Sequence, residues 1–442
     1  MDANWDLSGE VQLLQLGENR SFVSSAMFVS DDGMILFGDD ALRFHAELGK
    51  SSQRDIIDSP KPYLTFKGNA DTLRNRYLDK ATDPLGRLSV RDALVLYLAF
   101  QNALCDARTD GRTRTMRRRF THPFWSADVR QGKIELMERL LAESLLVARN
   151  CPSLASGSVS RSVARRALDA ARASSRTDLP YELVGSPVRE ATAAGSGAFL
   201  DSEPGKAANV VVLDFGAGTI DIAAFRHRKH ARTGDISISE YPGSASAITR
   251  AGNDLDNCLN RLVLKRMAQL VPSDTSDYKA LSYSTVEIRR DRKEQLFREG
   301  ELSVSLGDGR VVNVTLEEFM AGEGVRELVE SIKGELGKAV SACGHNGGIQ
   351  DRSIRLVLTG GGANLPFLRE LGPIDADVGR VRLEPDTAMP DALRRFPNVA
   401  PVYSQMAVAI GGAMPDLPQT MTQSRTAHVP SGDRVPVLGG SY

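Results

Sequence analysis

The chain has 442 residues, 41% of them apolar and 25% charged, with a formal net charge of −1. That balance describes a globular protein long enough for two substantial cores and excludes a general polyanion-binding role. Cys105, Cys151, Cys258 and Cys343 lack C-x-x-C spacing, no basic-then-apolar leader opens the chain, and no run is long and apolar enough to span a membrane, so the expectation is a cytoplasmic protein with neither nucleic-acid nor membrane partners.

In chain order, Ser89-Val-Arg-Asp92 has the form of a helix cap, and Val90, Leu94, Tyr97, Leu98 and Leu104 follow at helical spacing. The spacing predicts a core-packing helix through Leu104. The basic run from Arg108 to Arg119 has no interleaved aromatics and reads as a solvated loop rather than a nucleic-acid patch. His122, in Phe120-Thr-His-Pro-Phe-Trp125, reads as a strand-end residue, and a basic helix is expected around residues 163–171.

Val210-Val-Val-Leu-Asp214-Phe-Gly216-Ala217-Gly218-Thr219-Ile-Asp221-Ile-Ala-Ala-Phe225 is two apolar runs joined by small residues, which predicts a hairpin with chemistry at its bend. Gly216 and Gly218 are expected to supply positive φ and leave room for an anion, and successive backbone N–H groups in such a bend form a nest for phosphate oxygens. Asp214 and Asp221 flank the nest, where they can hold the water shell of a Mg²⁺ that accompanies a phosphate; Thr219 adds a hydroxyl donor. An ordinary glycine turn with solvated aspartates is the plainer alternative, and the fixed offsets of two carboxylates and a threonine favour phosphate.

Further on, Gly252-Asn-Asp-Leu-Asp256-Asn257 starts a helix with Leu255, Cys258, Leu259, Leu262 and Met267 on one face. Residues 301–306 and 311–316, joined through Asp308-Gly309, predict a hairpin with a type I′ turn, and Thr315-Leu-Glu-Glu318 caps the next helix. Ile354-Arg-Leu-Val-Leu-Thr-Gly360-Gly361-Gly362-Ala-Asn364-Leu-Pro366 reads as a strand ending in glycines that turn into a helix.

Together the stretches at 214–221 and 354–366 resemble the phosphate motif D-x-G-G-G-T-x-D and the adenosine motif G-G-S-T-R-I-P of the seventy-kilodalton heat-shock (DnaK-type) chaperones, within the actin-like ATPase superfamily. Ala217 stands at the middle glycine, and Asn364 replaces a base-stacking arginine. Residues 11–39 resemble the family's second and third strands, so its first phosphate loop, G-x-D-x-G-T-x-x-S, has no match. The resemblance therefore implies that the chain lacks its true start or is impaired in hydrolysis, because the missing strand is interior to a sheet.

What the resemblance implies elsewhere is specific. Lys61 falls where the family's lysine reaches the γ-phosphate, with a solvated surface lysine as the alternative. Glu190, in Glu190-Ala-Thr-Ala-Ala-Gly195, falls where a carboxylate accepts from the attacking water, with a solvated helix-start carboxylate as the alternative. Lys293, in Ile288-Arg-Arg290-Asp-Arg-Lys293-Glu-Gln-Leu296, is the candidate for ribose or adenine, and the glycines at 360–362 would let backbone lie flat against the nucleoside. The expected fold is a two-lobed actin-like (ribonuclease-H-like) α/β ATPase: residues 1–205 as lobe I, 206–413 as lobe II with a C-terminal helix returning to lobe I, and 414–442 as a disordered tail. It implies ATP and Mg²⁺ as cofactors, a protein partner or co-chaperone, and no peptide-binding domain. A nucleotide-binding scaffold without hydrolysis and an actin-like filament protein are the competing functions.

Overall fold

The computed structural model describes residues 16, 23–48, 54–58, 63, 70–282, 286–345, 349, 352–394, 396, 398–413 and 421–422. Lys61 and residues 1–15 lie outside them, as does all of the expected tail except 421–422.

Asp31-Asp32-Gly33 turns the chain between β1 (Met27–Val29) and β2 (Met34–Phe37), which pair antiparallel. Helix α1 (Gly38–Glu47) follows directly. Helix α2 (Val90–Arg108) starts at the predicted cap, where Ser89 Oγ accepts from the Asp92 N–H and the Asp92 carboxylate accepts from the Ser89 N–H. It runs a turn past Leu104 and ends before Asp110 and Gly111, which both take positive φ. Its partner is α3 (Ala127–Asn150), and the two are joined by a buried ion pair between Arg91 and Glu143. Arg118, in the basic run, is tied down by Asp106 at 3.0 Å.

Two small sheets belong to this part of the chain. β1, β2 and β4 (Ser158–Ser160) form one, and β3 (Thr121–His122) pairs in parallel with β5 (Val188–Arg189) to form the other. Among the described residues no strand joins them. His122 does end a strand, as expected, and stacks on Trp125 at 4.7 Å. The basic helix is α4 (Arg161–Ala173).

The larger sheet is mixed and has the strand order β13-β14-β12-β6-β7-β8-β15, with β9 (Ser246–Ile248) also on β7. Its strands are β6 (Ala207–Phe215), β7 (Ile220–Lys229), β8 (Ile236–Glu240), β12 (Ser353–Thr359), β13 (Ile374–Ala376), β14 (Gly379–Asp386) and β15 (Met421–Thr422). Strand β6 is buried on both faces, which is why its sequence is continuously apolar rather than alternating. Val211, Leu213 and Phe215 face one core, while Val210 and Val212 face another. β12 divides the same way, with Leu356 and Leu358 on the first side and Val357 on the second.

Helices cover both faces. On one side lie α6 (Gly252–Met267), α7 (Val286–Glu299) and α8 (Glu323–His345), with Leu255, Leu259, Val263, Leu296, Leu328 and Ile332 in the core. On the other, α5 (Glu190–Ala194) sets Ala191 and Ala194 against Val210, Val212 and Ala223, although the sequence places it before the boundary at 205. α9 (Tyr403–Ala413) crosses α5 so closely that a Cβ on Gly411 would lie 2.0 Å from the Ala193 carbonyl. Small residues at both segments let the two helices touch backbone to backbone.

One expectation is corrected. The hairpin of β10 (Glu301–Ser305) and β11 (Val311–Thr315) forms, but its turn is not type I′: the Gly309 N–H closes the turn on the Leu306 carbonyl, and neither central residue, Gly307 or Asp308, has the positive φ that type needs. Beyond 413, Met421 and Thr422 pair in parallel with Ser239 and Glu240. No helix among the described residues is long and apolar enough to cross a membrane.

Candidate functional site

The β6–β7 hairpin places Asp214 and Asp221 directly opposite one another across the strands. Both are buried, at 7% and 2% exposure. Asp214 Oδ1 accepts from Thr359 Oγ1 at 3.0 Å, because Thr359 is its parallel neighbour on β12; Asp221 Oδ1 accepts from the Phe124 N–H at 3.3 Å.

In the bend itself the reason for the glycines differs from the expected one. Neither Gly216 nor Gly218 has positive φ. The Gly216 N–H donates to the Thr219 carbonyl at 2.9 Å and closes the turn. The Gly216 and Ala217 carbonyls accept from the Gly252 and Asn253 N–H groups at the start of α6, at 3.2 and 2.8 Å. A trans peptide points its N–H opposite to its C=O. The Ala217 and Gly218 N–H groups therefore point away from α6, side by side, and neither donates to another group among the described residues. The two adjacent N–H groups are oriented by docking the turn on a helix start rather than by left-handed glycines.

The glycine run after β12 also divides its labour. Gly360 takes φ +82, and a Cβ there would lie 2.3 Å from the Phe215 carbonyl; one on Gly362 would lie 2.2 Å from the Phe215 ring. Both are required by packing on β6. Gly361 has nothing within 4 Å of its Cβ position and alone of the three opens onto space. Asn364 follows, its Oδ1 accepting from Arg369 at 2.6 Å.

From α7, Lys293 reaches back to α6. Its Nζ donates to the Gly252 carbonyl at 3.2 Å and forms an ion pair with Asp256 Oδ1 at 2.8 Å. Asp256 is 3% exposed. Burial raises its pKa, and the Lys293 charge opposes that rise.

These pieces wall one cavity of about 520 Å³. Phe215, Gly216 and Ala217 come from the hairpin, Gly252, Asn253 and Asp256 from α6, Arg290, Asp291, Lys293, Glu294 and Phe297 from α7, Gly361, Gly362, Asn364 and Leu365 from the glycine turn, and Gln405 from α9. Of the residues picked from sequence, Gly216, Ala217, Lys293, Gly361, Gly362 and Asn364 meet here. Gly360 sits behind the wall, and Asp214, Thr219, Gly218 and Asp221 are in the hairpin without lining the cavity. Glu190, buried at 7% exposure, begins α5 on the other face of the sheet, and Lys61 is outside the described residues. No group of three or more His, Cys, Asp or Glu among the described residues is placed to bind a metal directly.

Asp256, Arg290, Glu294 and Gln405 were not singled out as site residues. Asp256 carried a signal: it falls on the buried face of α6 with Gly252, Leu259 and Val263, where an acid has no structural reason to be. A second, larger cleft of about 810 Å³ lies beside α4, where Arg161 pairs with Asp83 and Arg165 with Asp169. No model of a known protein family matches this chain, and no curated protein matches it.

Proposed function

We propose that this chain is an ATP-binding protein of the DnaK type, with a two-lobed actin-like fold that closes around Mg-ATP and reopens on hydrolysis to drive a protein partner. One observation carries the reading: three sequence-distant segments that bear the resemblance, at 216–217, 293 and 361–364, line the same 520 Å³ cavity. That volume suits a small organic ligand. The outward Ala217 and Gly218 N–H groups would receive phosphate oxygens. Asp214 and Asp221 would order Mg²⁺ through its waters, and Gly361, Asn364 and Lys293 would border the nucleoside. Phosphoryl transfer asks the protein mainly for positioning and charge neutralisation. Thr219, Glu190 and Lys61 are the groups assigned to placing the attacking water.

The test is nucleotide-dependent thermal stabilisation. Mg-ATP at a hundred times its Kd stabilises the folded state by about 2.7 kcal/mol. Gly361→Phe, which fills open space in the cavity, removes that stabilisation while leaving the unliganded Tm close to wild type. An undiminished ATP response in Gly361→Phe sinks the assignment. For hydrolysis, Asp214→Asn slows single-turnover cleavage, and an unchanged rate removes Asp214 from the mechanism.

A further inference from the structure

We propose that the 810 Å³ cleft beside α4 docks an acidic segment of another protein, one that also carries an apolar side chain. This rests on the preceding reading only in taking the chain's partner to be a protein; nucleotide plays no part in it. The first observation is charge. Arg87, Arg161 and Arg165 line the cleft with a single acid, Asp32, whose carboxylate already accepts from the Ser30 hydroxyl and from the Met34 N–H at 3.3 Å. The Arg87 side chain is exposed and makes no hydrogen bond or ion pair with another side chain among the described residues. Arg165 lies 3.2 Å from Asp169, but the two side chains are 45% and 53% exposed, and a pair so open to water exchanges readily for a partner's carboxylate.

The second observation is that the cleft is already built. Asp83, fully buried, pairs with Arg161 and also accepts from the Arg87 and Leu88 N–H groups at 2.8 Å each. One buried acid thereby ties the start of α4 to the loop that carries Leu85, Gly86 and Arg87. Arg165 Nη1 donates to the Arg87 carbonyl at 3.3 Å, which sets its guanidinium against the same loop. A wall ordered before binding spares the complex the entropy of ordering it. With Asp83 balancing Arg161, Arg87 and Arg165 are the cations left for a partner.

The third observation decides the kind of ligand. Tyr77 and Leu85 also line the cleft, yet they stay 61% and 51% exposed. A small-molecule site closes apolar groups around its ligand and buries most of it, whereas tyrosine and apolar groups left open beside arginines have the composition of a protein interface. Guanidinium groups match carboxylates in bidentate geometry, and Tyr77 and Leu85 supply the apolar contact next to them. A nucleic acid fits less well, because arginines confined to one cleft with one exposed aromatic offer neither a track for successive phosphates nor a stacking platform.

The experiment follows the fluorescence anisotropy of a fluorescein-labelled peptide of Glu-Glu-Leu repeats, and of its Gln-Gln-Leu counterpart, titrated with the full chain in the absence of nucleotide. Wild type is expected to bind the acidic peptide about tenfold or more tighter than the neutral one, the range for a hydrogen bond between charged groups. Arg87→Glu removes that preference, and Leu85→Ser weakens both peptides by about three- to tenfold. Arg117→Glu reverses an exposed charge outside the cleft and changes neither affinity by more than about twofold, since distant surface charges are screened. Equal affinity of wild type for the two peptides, or binding of neither, overturns the assignment; this arm needs no variant. Unaltered affinity in a folded Arg87→Glu or Leu85→Ser overturns it, as does an equal loss in Arg117→Glu, which marks a diffuse attraction to the whole surface. Tighter binding of oligothymidylate than of the acidic peptide overturns it in favour of a nucleic acid. Each of these failures leaves the nucleotide reading of the other cavity standing.

Discussion

Three consecutive glycines, Gly360, Gly361 and Gly362, are expected to respond to the same substitution in different ways. In Gly360→Ala the new methyl must adopt φ +82 and sits 2.3 Å from the Phe215 carbonyl. The left-handed backbone costs about 1–2 kcal/mol and the overpacking about 1–3 kcal/mol more, so the loss is roughly 2–5 kcal/mol. Gly362→Ala has no backbone penalty, since its φ is not positive, but places the methyl 2.2 Å from the Phe215 ring. It costs about 1–3 kcal/mol, less if the ring can shift. Gly361→Ala meets nothing within 4 Å and keeps negative φ. Its effect on stability is within about 0.5 kcal/mol, or slightly favourable because alanine restricts the unfolded chain. Urea unfolding of the three variants with a common m-value gives the comparison directly. Equal losses at all three positions, or the largest loss at Gly361, would refute the division of the run into two packing glycines and one cavity glycine.

Burial holds the His227 pKa down to about 4, with Arg355 adding to the effect, while an unfolded histidine titrates near ~6.5. The unfolded chain then binds the extra proton first, so this stability is complete above about pH 6.5 and is lost progressively as pH falls towards 4, by up to about 3 kcal/mol. His227→Gln should flatten the wild-type dependence of urea stability between pH 7 and 4.5, and an unaltered slope would contradict it. Arg91→Met strands the Glu143 carboxylate in the core, with only Arg139 at 2.9 Å remaining, and should cost about 3–5 kcal/mol. Adding Glu143→Leu should recover much of that loss; additive losses in the double variant would show that the pair is not buried as described.

Much of this arrangement was legible because it is local. The hairpin at 214–221, the Ser89 cap and the strand-to-glycine turn at 354–362 are each written within about a dozen residues, and each formed where expected. The reasons for particular residues were less legible, because they depend on what the fold brings alongside. Gly216 and Gly218 are suited to positive φ by chemistry, yet the turn is held instead by α6, thirty-odd residues later in the chain. Gly360 and Gly362 are explained by the ring and carbonyl of Phe215 on a neighbouring strand. The Arg91–Glu143 pair and the Lys293–Asp256 pair join helices distant in sequence, and nothing in either helix alone names its partner.

The most direct test is photocrosslinking of the full chain with Mg-8-azido-ATP, followed by mapping of the labelled peptides. The account predicts saturable labelling, competed by ATP, on peptides that contain residues 286–299 or 361–365, the walls of the cavity beside the hairpin. Absence of competable labelling, or labelling confined to the larger cleft around Arg87, Arg161 and Arg165, would contradict it.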